Sequence, residues 1–168
     1  MKRRIAAGII TGVIIVAVLV LSVSVRSSYL ILTHAENGSV LFSHPINEGE
    51  LISVGYIHSV NRTPVSEIFT VVQGQLVLTA LEFKSFGAGM PTELEPGQRL
   101  LHLPDGFMRI EPFDRPVHDF RILISEKAMH TLRVGELQIS LCALTEPGEP
   151  VRFRLRRLNI WQRLILAL

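Results

Sequence analysis

The chain has 168 residues, 48% of them hydrophobic, with 17 Lys or Arg, 15 Asp or Glu, a single cysteine and a formal net charge of +2. Charge is unevenly divided: residues 27–150 hold all 15 acids and eight Lys or Arg, a net −7, whereas residues 1–26 carry four cations and residues 151–168 five, with no acid in either. An acidic body between two basic ends excludes the nucleic-acid partner that the overall charge would suggest, and a lone cysteine excludes an internal disulfide.

Lys2, Arg3 and Arg4 precede residues 5–25, an apolar run broken only by Gly8, Thr11, Gly12, Ser22 and Ser24. Its 21 residues, as a helix rising about 1.5 Å per residue, span roughly 31 Å, the thickness of a bilayer core. The cationic start belongs in the cytoplasm. The expectation is therefore a single-pass anchor in the inner membrane, N-terminus in, with everything after Arg26 in the periplasm or at the cell exterior. The alternative is a signal peptide cleaved near Ser22-Val23-Ser24, which would export the domain as well. Gly8 and Gly12 spell GxxxG, a spacing that lets two membrane helices approach closely.

Past the anchor, short runs rich in Val, Ile, Leu and Phe alternate with turn chemistry such as Glu36-Asn37-Gly38, Gln73-Gly74, Glu95-Pro96-Gly97 and Pro104-Asp105-Gly106. Strands are expected near 28–35, 39–43, 51–60, 65–73, 75–84, 99–103, 107–111, 119–125, 130–134, 137–143 and 150–155. Nothing between residues 27 and 150 shows a sustained helical period. The fold class that follows is all-β, a single antiparallel β-sandwich or small barrel over residues 27–155, preceded by a transmembrane helix and followed by a short amphipathic helix over 156–168. Cys142, in an apolar neighbourhood, reads as a buried and inert thiol.

Near the C-terminal end Val151, Phe153 and Leu155 alternate with Arg152, Arg154 and Arg156, a strand with one basic face. From Arg157 the pattern turns helical, with Leu158, Trp161, Ile165 and Leu168 on one stripe and Arg163 off it. Trp161 and Arg163 suit a bilayer interface with anionic headgroups. The plainer alternative packs this helix on the sandwich with its arginines solvated.

The least generic segment is 55–69, which contains Tyr56-Ile57-His58-Ser59-Val60-Asn61-Arg62-Thr63-Pro64. A hairpin about Arg62-Thr63 pairs Val60 with Val65, His58 with Glu67, Tyr56 with Phe69 and Val54 with Val71. A following turn at Gln73-Gly74 sets Leu76 beside Val71, Leu78 beside Phe69 and Ala80 beside Glu67, with Glu82 next on that face. The loop Ser85-Phe86-Gly87-Ala88-Gly89-Met90-Pro91 then emerges beside the 61–64 loop. His58, Ser59, Arg62, Thr63, Glu67, Glu82, Ser85, Gly87, Ala88 and Gly89 are the candidate binding residues.

Several chemistries fit this pattern. A nucleophilic triad is disfavoured, because Ser59 and Ser66 fall on the opposite face from His58. A metal site from His58, Glu67 and Glu82 lacks a ligand spacing such as HExxH, so no metal and no cofactor are expected. Gly87-Ala88-Gly89 can turn successive backbone N–H groups toward a small organic anion. The plainest reading is a buried His58–Glu67 pair pinning two loops. His34, His44, His102, His118 and His130 are scattered without ligand spacing.

The motif Tyr56-Ile-His-Ser-Val-Asn-Arg-Thr-Pro-Val-Ser-Glu67, followed by Phe83-Lys-Ser-Phe-Gly-Ala-Gly-Met-Pro91, resembles the hallmark of an uncharacterised bacterial family, domain of unknown function 1850. Members are often encoded beside TRAP transporters of the TAXI type. The family pattern carries an acid where Asn61 stands here. The resemblance brings no catalytic residue, but it implies partners: the membrane subunits or the solute receptor of a TRAP transporter handling organic anions. The resulting expectation is a non-enzymatic accessory or binding domain. The alternatives are a small periplasmic enzyme with His58 as acid or base and Glu67 as its orienter, or a structural envelope protein.

Overall fold

Period-2 hydrophobicity between Gly-, Pro- and Asn-rich turns commits most of this chain to antiparallel pairing, and the computed structural model describes residues 12, 14–16, 20–87 and 89–166. Twelve strands follow in order among these residues: β1 (Arg26–His34), β2 (Val40–Pro45), β3 (Leu51–Ile57), β4 (Pro64–Val72), β5 (Gln75–Phe83), β6 (Arg99–His102), β7 (Met108–Glu111), β8 (Arg115–Val117), β9 (Phe120–Leu123), β10 (Thr131–Val134), β11 (Leu137–Ser140) and β12 (Pro150–Asn159). A 3-10 turn (Leu141–Ala143) ends the expected 137–143 strand early, and a helix, α1 (Ile160–Leu166), follows β12. The basic strand expected to stop at residue 155 thus continues to Asn159, because its whole length pairs with β1 from His34↔Val151 to Arg26↔Asn159.

The strands form two antiparallel sheets, a small one in the order β2-β1-β12-β9 and a large one in the order β11-β10-β3-β4-β5-β7-β6, with β8 also paired to β5. Leu30 and Leu32 of β1 and Val151 and Phe153 of β12 pack against Ile52, Val54, Phe69, Val71, Leu132 and Val134 of the large sheet. Phe120 bridges the layers: its ring centroid lies 4.7 Å from Phe69 and 4.8 Å from Phe153. A second cluster of Val65, Leu81, Phe83, Met90 and Ile110 contains no small-sheet side chain. There Met90 of the 84–91 loop is buried among large-sheet side chains, with Tyr56, Leu100, Met108 and Phe113 packed around them. Cys142 is half-buried at the edge of the main core, its Sγ 3.6 Å from the Ser125 carbonyl.

The β3–β4 register and the part of β4–β5 beyond Phe69 differ from the sequence expectation, whereas Val71↔Leu76 and Phe69↔Leu78 pair as expected. The β3–β4 pairs are Val54↔Glu67, Tyr56↔Val65 and Ile52↔Phe69, a shift of four residues relative to the His58–Glu67 pairing. The cause is the turn: the His58 N–H donates to the Thr63 carbonyl and the Arg62 N–H to the His58 carbonyl, so residues 58–63 form a closed loop and β3 stops at Ile57. An even shift keeps the same side chains inward. In β4–β5 a bulge between Ile68 and Phe69 sets Phe69 opposite Leu78 but Ile68 opposite Ala80, leaving Thr79 as the extra residue. Thr79 is well satisfied, its hydroxyl donating to the Ile68 carbonyl and its own carbonyl accepting from Phe113. Beyond the bulge Leu81 and Phe83 face inward, and Glu82 is turned to the other face, opposite Ser66. Strand β8 was not legible in advance, since Pro116 sits at its centre; it pairs along β5 as an edge segment.

Residues 20–24 are helical and lead into β1, with Val20, Leu21, Val23 and Val25 exposed. No helix among the described residues is long and apolar enough to cross a membrane. Lys2, Arg3, Arg4 and Gly8 lie outside the described residues, as do 17–19, so the anchor and its GxxxG pairing are not described by the structure; at Gly12 a methyl group would meet nothing within 4 Å. Leu166 of α1 lines a shallow cavity with Ile31, Thr33 and Leu158 on the outer face of the small sheet, while Trp161, Leu164 and Ile165 are 50%, 56% and 74% exposed. No residue of the helix is buried; Leu166 borders the small sheet while the apolar side chains of Trp161, Leu164 and Ile165 face outward.

Candidate functional site

The 58–63 turn and the 84–91 loop meet, as the strand directions require. Thr63 Oγ1 is 3.1 Å from Ser85 Oγ, and the Asn61 side-chain amide donates to the Ser85 carbonyl at 3.4 Å. Gly87 packs so tightly on Asn61 that a methyl group there would collide with the Asn61 side chain. Gly89 has φ +84° and approaches His58: a methyl at Gly89 would sit 3.7 Å from His58 Nε2. Ala88 lies outside the described residues.

His58 is oriented by the turn it opens. Its Nδ1 accepts the backbone N–H groups of Val60 (3.2 Å) and Asn61 (3.3 Å). With Nδ1 an acceptor, the ring proton belongs on Nε2, which is left free to donate. His58, Ser59 and Arg62 then line a cavity of about 630 Å³ with Ile57, Ser125, Lys127 and Ala128. No acid lines it. Arg62 adopts φ 53°, left-handed backbone that an arginine occupies at some cost. The 125–130 segment is tied in by the Ile57 N–H, which donates to the Ala128 carbonyl at 2.7 Å. Ser125 and Lys127 could not be found from the sequence, where Ser125-Glu126-Lys127 looks like any exposed turn.

Glu67 is elsewhere. It faces inward from β4 and lines a separate cavity of about 300 Å³ between the sheets, with Tyr56, His130, Phe120 and Arg121. Burial raises the Glu67 carboxyl above its ordinary value, burial and the Glu67 charge raise the Tyr56 phenol, and burial lowers the His130 imidazole. The expected His58–Glu67 pair is therefore absent, and with it the orienter that an acid–base mechanism at His58 would use. Glu82, expected on the same face, instead accepts from Arg109 across β5–β7.

Glu67 makes a pH prediction. Its folded pKa is raised, so the folded state holds the proton more tightly than the unfolded one. Stability from this group is greatest below the unfolded value near 4.5 and falls as pH rises through the folded one. Glu67→Gln should thus raise the melting temperature at neutral pH and flatten this limb of the stability–pH profile. An unchanged profile in the variant would assign the limb to another group.

The two ends of the sandwich are distinct. Strand β4 runs from the His58 turn to the Gln73-Gly74 turn, and Gln73 and Gly74 border a cavity also lined by Arg26, Arg157 and Arg163. Its nine residues, at about 3.3 Å each, separate the His58 turn from the Gln73-Gly74 turn, and so from the Arg26 cavity, by about 30 Å.

These features define a β-sandwich domain with a cationic, hydroxyl-lined cavity at one end and an arginine-rich end beside an apolar segment. A sequence model of the family described as Domain of unknown function (DUF1850) matches residues 52–141, more than half of the chain, and the chain belongs to that family. The match takes in β3 to β11 and both halves of the His58 cavity, but not β1, β12 or α1. No curated protein and no solved structure matches the chain.

Proposed function

We propose that this chain is a membrane-anchored, extracytoplasmic accessory or binding domain that engages a small organic anion at the His58 cavity in the service of a TAXI-type TRAP transporter. One observation carries the reading. A cavity lined by Arg62, Lys127, His58, Ser59 and Ser125, with no acid among its described lining residues, has the residue set of a carboxylate site. The apolar run after Lys2, Arg3 and Arg4 supports an inner-membrane address with the domain outside. The separation of the cavity from Arg26 favours a partner reaching over the domain, the solute receptor, rather than the membrane subunits. The transporter link itself rests on the family resemblance.

Calorimetric titration of the full chain in mild detergent with mono- and dicarboxylates should give saturable binding that weakens with salt. Absence of binding across carboxylates and inorganic phosphate would remove the anion site. Co-isolation from mild detergent should recover transporter subunits or the receptor; their repeated absence would remove the accessory role and favour an enzyme or a structural envelope protein.

A further inference from the structure

At the end of the sandwich where β1 begins, the core-facing positions stop being apolar. Leu30 pairs with Leu155, but the next pairs on the same face are Ser28 with Arg157 and Arg26 with Asn159. Arg26, Ser28 and Arg157, with the half-buried Arg163 of α1, line a cavity of about 640 Å³ closed from the large sheet by Gln73 and Gly74. Among the described residues none of these three arginines forms an ion pair. The one acid on the wall, Glu48, accepts from the Gln73 backbone N–H and offsets one of the three positive charges. Three arginines sharing one cavity with a single carboxylate leave it net positive, a space suited to an anion.

The surroundings indicate which anion. Trp161 of α1 donates from Nε1 to Ser22 Oγ at 3.1 Å, which ties the helix to the apolar segment before β1. Trp161, Leu164 and Ile165 are exposed, as are Val20, Leu21 and Val23 of the segment that Trp161 touches through Ser22. A cationic cavity edged by apolar surface and a tryptophan matches the layering of a bilayer interface, phosphate above and acyl chain below. We propose that this cavity binds the phosphate of an anionic phospholipid headgroup, clamped by Arg26, Arg157 and Arg163, with the exposed side of α1 in the acyl boundary. The proposal rests on the reading of the chain as bilayer-anchored and deepens it. The site would set the domain upright and aim the His58 cavity away from the membrane.

The test is native mass spectrometry of the full chain from micelles doped with phosphatidylglycerol or phosphatidylcholine. The expected result is preferential retention of phosphatidylglycerol by on the order of ten-fold, lost in Arg157→Gln/Arg163→Gln and kept in Arg154→Gln/Arg156→Gln, which removes equal charge outside the cavity. Equal retention of both lipids, or a preference surviving Arg157→Gln/Arg163→Gln, would overturn the site. Should that variant misfold, as read by its melting temperature, Arg26→Gln at the strand start serves in its place. Retention of glycerol 3-phosphate as strong as that of the lipid would assign the site to a free phosphate and overturn the lipid. Alkaline carbonate extraction of membranes reads the anchor separately: a released chain ends the anchored reading, whereas a retained chain without lipid preference ends only the headgroup site.

Discussion

Phe69→Ala should destabilise the domain by about 3–5 kcal/mol, a large part of the roughly 5–15 kcal/mol that a domain of this size possesses. Phe69 is 2% exposed and belongs to the core formed by both sheets. Its ring is one member of the tilted Phe69–Phe120–Phe153 cluster, so truncation removes both buried area and the ring contact that keys the large sheet to the small one. The neighbouring strands cannot close the gap, because β4 is held on both sides by β3 and β5. Urea unfolding followed by circular dichroism measures the loss. A cost below about 1 kcal/mol would mean that the sheets are not held together through this cluster.

Arg62→Gly should have opposite effects on binding and stability. Arg62 sits at φ 53°, where glycine is at ease and an L-residue is strained by about 1 kcal/mol. The variant should therefore fold at least as stably, by up to about 1 kcal/mol. It also removes one of the two full cations lining the His58 cavity, so anion affinity should fall on the order of ten-fold, with Lys127→Ala giving a similar loss. Calorimetry and thermal unfolding on the same samples separate the two effects. If Arg62→Gly gains stability and keeps full affinity, the guanidinium plays no part in anion binding. His58→Ala is less informative, since His58 Nδ1 accepts two backbone N–H groups of its own turn and its removal loosens the loop directly.

The backbone strain at Arg62 and the buried charge at Glu67 share a logic. Each is a local choice that lowers stability: an arginine where glycine would fit, and a carboxyl on the inner face of β4 with burial raising its pKa. Departures of this kind concentrate where a site needs a particular group in a particular place. They mark the two cavities bordered by the 125–130 segment, which supplies Ser125, Lys127 and Ala128 to one and His130 to the other.

Local chemistry was enough to decide that the chain is built of strands, and roughly where they start and stop. The alternation of Val151, Phe153 and Leu155 with three arginines foretold β12 because a pleated strand sends neighbours to opposite faces, whatever it pairs with. Strand direction alone likewise brought the 61–64 and 85–91 loops to one end, where Thr63 now meets Ser85. The Gln73-Gly74 turn also foretold Leu76 opposite Val71 and Leu78 opposite Phe69, but pairing beyond the bulge and across the His58 turn was decided only in three dimensions. The His58 turn closed by its own hydrogen bonds and a single extra residue at Thr79 moved His58 away from Glu67 and sent Glu82 to the far face. A bulge or a turn length is settled by the balance of many cross-strand contacts, and no short run of residues encodes it. The same holds for Lys127 and Arg157: their neighbours in space are distant in sequence, so their convergence on cavities follows from how the sheets close and not from any motif.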